Sequence, residues 1–349
     1  MTDTTTASSM PEQELRDRVA RLVADAGITM EVGLVERIVL TAIGLGRDGT
    51  QRLDLKIAAA AVAEMRDAFR VFAPFASVPK VTIFGSARTL HDDPLYLQTR
   101  RMADALARDG WMVVTGAGPG IMQAAAEGAG TEMSIGVSIR LPFEEKPSTA
   151  IGPDAHLVSM KYFFTRKLML MKESRGFVCL PGGFGTMDEM FELLTLQQTG
   201  KAEPMPIVLL DRPGGTYWTA LADYVRDHLV AGGYVAPDDI DRVLVTDSVE
   251  AATAEIIGFW RNYDSLRWVG DRLVLRMRVA PSDAELAALR EQFAPLVLRG
   301  AIERTEPLDP ELVDDDRVEL PRLTFVLNPL MVGSLHHLIR ALNALPSAA

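Results

Sequence analysis

The stretch GFVCLPGGFGTMDEMFELLTLQQTG, residues 176–200, gathers the residue types most able to do chemistry. It reads as a buried strand from Gly176 to Leu180, a glycine-rich turn, and a helix beginning near Thr186. Gly182, Gly183 and Gly185 let the backbone adopt unusual angles and approach a ligand closely. Thr186 suits a helix N-cap. A helix start offers unpaired N–H groups and partial positive charge, a natural seat for phosphate. Asp188 and Glu189 then fall in the expected first turn, where the helix dipole favours carboxylates. Glu189, about one turn past the glycines, could address the sugar of a nucleotide whose phosphate fills the turn. Glycosidic cleavage passes through an oxocarbenium-like transition state, which a carboxylate stabilises while positioning or activating water. A rotation of about 100° separates Asp188 from Glu189, so only one of them can face that ligand squarely.

Two further stretches could contribute. The segment KYFFTRKLMLMKES carries Arg166 and Lys167 among enough apolar residues to bury most of a helix. Arg166 there has two readings: a core ion pair, or a planar fork aimed at phosphate or sugar oxygens. The turn GAGPGIM, Gly116 to Met122, resembles a dinucleotide fingerprint, a weak signal taken alone. The strand Ser134–Arg140 closes with Ser138, Ile139 and Arg140, without the acidic residue that would hold the ribose of NAD. A nucleotide-cradling turn, or glycines serving only tight packing, are the readings that remain. The five histidines are scattered, with no metal-ligand spacing. The lone cysteine, Cys179, sits mid-strand and reads as a small buried apolar residue rather than a nucleophile. No nucleophile elbow and no Walker A lysine appear. No metal and no cofactor are therefore expected.

The elements that must hold these residues alternate. Strands are expected at Val81–Phe84, Trp111–Thr115, Ser134–Ile139, His156–Ser159, Gly176–Leu180, Pro206–Leu210 and Val243–Thr246, with helical stretches between most of them. This rhythm predicts an α/β fold, a doubly wound Rossmann-like parallel sheet, with ligands at the carboxyl ends of its strands. GSAR, GAGPG and PGGFGT all fall at that edge. Residues 1–78 read as an N-terminal helical extension for packing or oligomerisation, with no convergent polar groups to recommend it as a lid. Residues 79–262 form the Rossmann-like domain. Residues 263–349 read as a small α+β domain of order β-α-β-β-α, regulatory or oligomerising by analogy of fold. The acidic segment Asp309–Asp316 reads as a solvated loop.

Composition bounds the partners. The chain has 349 residues, 48% of them hydrophobic, a formal net charge of −11 and a sequence pI near 5.1. A nucleic-acid polymer needs clustered Lys and Arg, whereas a single nucleotide needs only one local site. One cysteine excludes an internal disulfide framework and fits a reducing cytoplasm. No signal peptide or membrane-spanning apolar run is legible. A soluble cytoplasmic homo-oligomer acting on a small molecule is the expectation, with no membrane and no nucleic-acid partner.

The motif PGGFGTMDE, Pro181 to Glu189, resembles the Pro-Gly-Gly-x-Gly-Thr-x-x-Glu signature of the LOG (Lonely Guy) family of nucleoside 5′-monophosphate phosphoribohydrolases, often mislabelled lysine decarboxylases. Arg166-Lys167, in the context YFFTRK, is similar to the upstream Arg-Lys pair of the longer bacterial members. VTIFGSAR and VVTGAGPGIMQAAAEGA also look like the family's. The resemblance covers roughly residues 79–262. It implies hydrolysis of an N-glycosidic bond to free base and ribose 5-phosphate, with Arg166 and Glu189 as the catalytic pair. It implies phosphate binding by Gly182, Gly183, Gly185 and Thr186. Lys167, Glu144 and Thr195 match further substrate-contacting positions, and Ser86 with Gly116, Gly118 and Gly120 would complete the pocket. A non-catalytic nucleotide sensor is the alternative, and an enzyme regulated through its C-terminal domain combines the two. The sequence supports no pyridoxal-phosphate site.

Overall fold

A computed structural model describes residues 10–140 and 156–348, which divide into two compact units between Ala63 and Glu64. In the first, α1 (Glu12–Asp25) and α2 (Val32–Arg47) precede the start of α3 (Arg52–Phe72). Val19 and Val23 on α1 are buried, and Arg47 is tied to Glu12 and to the Met10 carbonyl.

The second unit is built on a seven-stranded parallel sheet. Its strands are β1 (Lys80–Phe84), β2 (Met112–Thr115), β3 (Ser134–Ile139), β4 (Leu157–Met160), β5 (Gly176–Cys179), β6 (Ile207–Leu210) and β7 (Val243–Thr246). Their spatial order is β4-β3-β2-β1-β5-β6-β7, so the order in which successive strands are added reverses between β1 and β5 while all strands stay parallel. β1, β2, β5 and β6 are buried at every position, as a sheet covered on both faces requires. The covering helices are α4 (Pro94–Arg108), α5 (Ile121–Ala129), α6 (Phe163–Lys172), α7 (Phe184–Gln198), α8 (Tyr217–Tyr224) and α9 (Val249–Gly258). This is the doubly wound sheet expected from the strand and helix alternation.

The switch between β1 and β5 positions the site. Val81 to Phe84 pairs in register with Gly176 to Cys179. Pairing continues past the strand ends: the Leu180 amide donates to the Phe84 carbonyl at 2.9 Å, and the Ser86 amide to the Pro181 carbonyl at 3.3 Å. The GSAR and PGGFGT turns are thus joined where an open α/β sheet opens a crevice.

The C-terminal segment differs from the expected β-α-β-β-α order. An additional strand, β8 (Tyr263–Val269), precedes β9 (Arg272–Met277), α10 (Asp283–Gln292), β10 (Val297–Arg304), α11 (Asp309–Val313), β11 (Arg322–Leu327) and α12 (Ser334–Asn343). The four strands form an antiparallel sheet of order β10-β11-β9-β8. Its core is continuous with that of the parallel sheet: Leu275, Phe325 and Leu338 join one apolar cluster with Val81, Val178 and Val208. Asp309–Asp316 is a correction too, because it is not simply a solvated loop. It carries α11, and Glu311 is fully buried between Arg276 and Arg322, each at 2.7 Å. A buried carboxylate persists when it is paired in this way.

Candidate active site

The PGGFGT turn opens a helix two residues earlier than its sequence suggests. The N-cap of α7 is Gly183, in extended backbone, and the helix starts at Phe184. Thr186 is therefore a buried first-turn residue, not the cap. Its side chain packs against the turn itself: a Cβ added to Gly182 would lie 2.8 Å from the Thr186 Cβ and 3.1 Å from the Ser86 amide nitrogen. The earlier start moves Asp188 and Glu189 beyond the first turn, which contains no acid. The helix dipole acts chiefly within that first turn, so it gives Glu189 less support there.

Asp188 and Glu189 diverge as the helical rotation requires. Asp188 turns to Lys167, 2.8 Å from its Nζ, and Glu192 meets the same ammonium at 2.5 Å. Burial opposes the Lys167 charge, but the bonds to these carboxylates outweigh it and raise its pKa. Glu189 instead lines a cleft of about 1310 Å³. Burial pushes its carboxyl up to about 7, against the opposing pull of Arg166 and Lys167. A carboxyl raised toward neutrality in a cleft has the profile of a working acid or base.

Arg166 reaches the same cleft from α6. Its Nε donates to the Val137 carbonyl at 2.9 Å and its Nη2 to the Gly116 carbonyl at 3.3 Å. The Gly116 carbonyl just past β2 and the Val137 carbonyl within β3 thus hold one edge of the guanidinium. A side chain at Gly116 would occupy the space of Arg166 Nη2, so this glycine is needed for the arginine's position. The guanidinium also lowers the Glu189 pKa, placing the two within electrostatic reach of each other.

The carboxylate beneath α6 was not legible in the sequence. Glu64 on α3 is 5% exposed. Its Oε1 accepts from the Lys161 amide at 2.7 Å, and its Oε2 from the Thr165 hydroxyl at 2.7 Å and the Tyr162 amide at 3.5 Å. Arg140, on the cleft wall, lies 3.4 Å from the same carboxylate. Glu64 therefore caps, from another helix, the start of the helix that carries Arg166. A residue some 100 positions from its partner leaves no local pattern, and only its place in an otherwise unremarkable helix could have drawn notice. Tyr217 was missed for the same reason. Its hydroxyl donates to the Gly182 carbonyl at 2.6 Å and braces the turn.

Of the residues singled out above, Ser86, Gly116, Gly118, Arg166, Gly182, Gly183, Gly185, Thr186 and Glu189 line this one cleft. Gly120 lies beneath it. At φ +66°, its α-carbon packs so tightly on the Ser86–Ala87 backbone that an added Cβ would be 2.8 Å from the Ala87 carbonyl carbon. Lys167 and Thr195 do not line the cleft; Thr195 is exposed and donates its hydroxyl to the Phe191 carbonyl at 2.7 Å. Glu144 lies outside the described residues. Cys179 is buried, and burial raises its thiol pKa far above the usual range, as suits an inert core position. Among the described lining residues the charged groups are Arg88, Arg140, Arg166 and Glu189. Among these described residues three guanidiniums stand against one lining carboxyl, with Glu64 behind Arg140, a balance that favours anions. The described residues contain no group of His, Cys, Asp and Glu arranged to hold a metal.

A family model described as "Possible lysine decarboxylase" matches residues 120–256. A cytokinin riboside 5′-monophosphate phosphoribohydrolase of Rhodococcoides fascians is 31% identical over 160 residues, covering 44% of this chain and 77% of the relative. An enzyme of the same name from Mycobacterium tuberculosis is 29% identical over 176 residues, covering 49% of this chain and 90% of its own. Among solved structures, a molybdenum cofactor carrier protein from Chlamydomonas reinhardtii matches with 22% identity and a TM-score of 0.36, over 51% of this chain and 94% of its own. Since this chain spans most of the length of a relative 31% identical to it, it belongs to the LOG family.

Proposed function

We propose that the protein hydrolyses the N-glycosidic bond of a nucleoside 5′-monophosphate, releasing free base and ribose 5-phosphate. The observation that carries this reading is the carboxyl of Glu189, raised to about 7, facing a cleft rimmed by the bare backbone of Gly182 and Gly183 and flanked by Arg166. The 5′-phosphate docks on the amides at the start of α7. Arg166, held by two carbonyls, lines the cleft with a planar fork suited to phosphate or sugar oxygens. Ionised Glu189 stabilises positive charge developing at the anomeric carbon and takes a proton from the attacking water. The bond from that carbon to the base nitrogen breaks as the bond to water oxygen forms, and the departing nitrogen takes up a proton.

The names of the curated relatives support a phosphoribohydrolase of nucleotides; cytokinin precursors are one candidate substrate among several. No helix of the described residues is long and apolar enough to cross a membrane, in keeping with the cytoplasmic setting we propose. We also propose a homo-oligomer. Phe164 and Leu168 on α6 and Phe191 on α7 are exposed, and burying them against a second copy would remove apolar surface from water. Lys167 and Thr195, on these same helices, would then serve the other copy's cleft. Light scattering of the purified chain checks this: a monomer at micromolar concentration would end the proposal.

The deciding experiment follows base release by chromatography from AMP, GMP, CMP, UMP, IMP and isopentenyl-AMP. At least one should be cleaved, and Glu189→Gln should lower the cleavage by about 100-fold or more with the fold intact. Binding without turnover, at high protein concentration, would instead establish the nucleotide sensor.

A further inference from the structure

A second cleft, of about 840 Å³, lies at the opposite edge of the parallel sheet. Pro79, Trp111 and Arg175 line it, and each stands just before a strand: β1, β2 and β5 respectively. α9 and the approach to the C-terminal sheet supply the other wall. Three arginines converge there, Arg175, Arg261 and Arg278. Among the described residues none of the three guanidiniums makes an ion pair, unlike the paired arginines of the C-terminal sheet, although Arg175 is within electrostatic reach of Glu203.

Arg175 is the best-held of them. Its amide donates to the Lys80 carbonyl at 2.8 Å, and its carbonyl accepts from the Trp260 indole at 2.8 Å. Its guanidinium lies over the Trp260 ring, 5.0 Å from the centroid. An aromatic face held this way orders an arginine without neutralising it. Two carboxylates, Asp109 and Glu250, also line the cleft. Glu250 accepts from the Ser248 hydroxyl at 2.9 Å and has Arg101 as a cationic neighbour. A further polar group stands in the wall: the Thr253 hydroxyl oxygen is buried with no hydrogen-bond partner among the described residues.

We propose that this second cleft binds a small, multiply charged phosphate ester, with Arg175, Arg261 and Arg278 meeting its oxygens. Guanidinium forks suit phosphate because they offer paired donors and always carry charge. The volume falls within the range of about 300 to 1,000 Å³ usual for small-molecule sites. Separate arginines on three chain segments fit a ligand with more than one charged group, a diphosphate rather than a single carboxylate. The site requires nothing of the catalytic cleft, so the binding claim stands whether or not the protein is a hydrolase.

Calorimetric titration of the full chain with inorganic pyrophosphate at low ionic strength tests it. Thr186→Val perturbs the catalytic turn, whereas Arg261→Gln with Arg278→Gln removes two exposed guanidiniums that make no ion pair and leaves the fold intact by circular dichroism. The expected result is pyrophosphate binding that survives Thr186→Val and weakens at least tenfold in the double variant. Wild-type affinity in the double variant overturns the proposal, as does the absence of any binding to the wild-type chain.

Discussion

Glu64 on α3 holds Thr165 on α6 through a 2.7 Å hydrogen bond, one residue before Arg166. The same carboxylate accepts from the Lys161 amide, so the orientation of a catalytic helix depends on a side chain about 100 residues upstream. Glu64→Ala would leave the Lys161 amide and the Thr165 hydroxyl without this acceptor, at a cost of about 2 to 4 kcal/mol. Denaturant unfolding measures that loss. Glu64→Gln should retain more stability yet lower kcat more than it raises KM, since it shifts Arg166 rather than removing a substrate contact.

Glu189→Gln keeps the shape of the side chain and removes its charge. Base release should fall on the order of 100- to 10,000-fold if the carboxylate serves as base and electrostatic partner. Nucleotide binding, measured separately by calorimetry, should persist. Comparable loss of binding and turnover would assign Glu189 to substrate affinity instead.

The raised Glu189 carboxyl makes two statements about pH. Activity requiring its ionised form should climb as pH passes about 7 and fall away below it. Stability runs the other way. Between the usual 4.5 and about 7, the folded state keeps a proton that the unfolded chain has lost. Stability must therefore fall as pH rises through that window. Glu189→Gln should relieve the penalty above pH 7, by about 1 to 2 kcal/mol once its partial contact with solvent is allowed for. Thermal melts of both proteins at pH 5 and pH 8 check the sign: the variant's advantage should be larger at pH 8.

Arg166→Lys should cost about 100-fold in kcat/KM, because a single ammonium cannot reproduce the planar fork that reaches the carbonyls of both Val137 and Gly116. Gly116→Ala is a sharper probe. Its new methyl displaces the far end of a flexible arginine, so activity should drop with little loss of stability. Gly120→Ala should do the reverse of that division. It forces a left-handed φ on alanine and meets the Ser86–Ala87 backbone, so the melting temperature itself should fall. Equal melting temperatures for the two variants would contradict this account.

Local signals were enough for much of the molecule. Strand and helix alternation specifies the parallel sheet, because strands buried on both faces must be short continuous apolar runs such as VTIF and IVLL. Three glycine-rich turns at strand exits likewise imply a ligand edge, and rotation along α7 separates Asp188 from Glu189. Elsewhere the spacing misleads. Thr186 has the residue type of a cap, but the helix begins at Phe184 because the backbone at Gly183 makes the turn. Glu311 sits in an acidic run typical of a solvated loop, yet Arg276 and Arg322 arrive from two strands and bury it.

What tertiary structure alone decided are the contacts between residues far apart in the chain. Glu64 beneath α6, Tyr217 against the Gly182 carbonyl and Arg175 over Trp260 each join elements that no periodicity links. Hydrophobic patterning states which face of an element turns inward. A polar side chain's partner is set only when packing brings another element alongside, and a buried charge then holds whichever neighbour satisfies it.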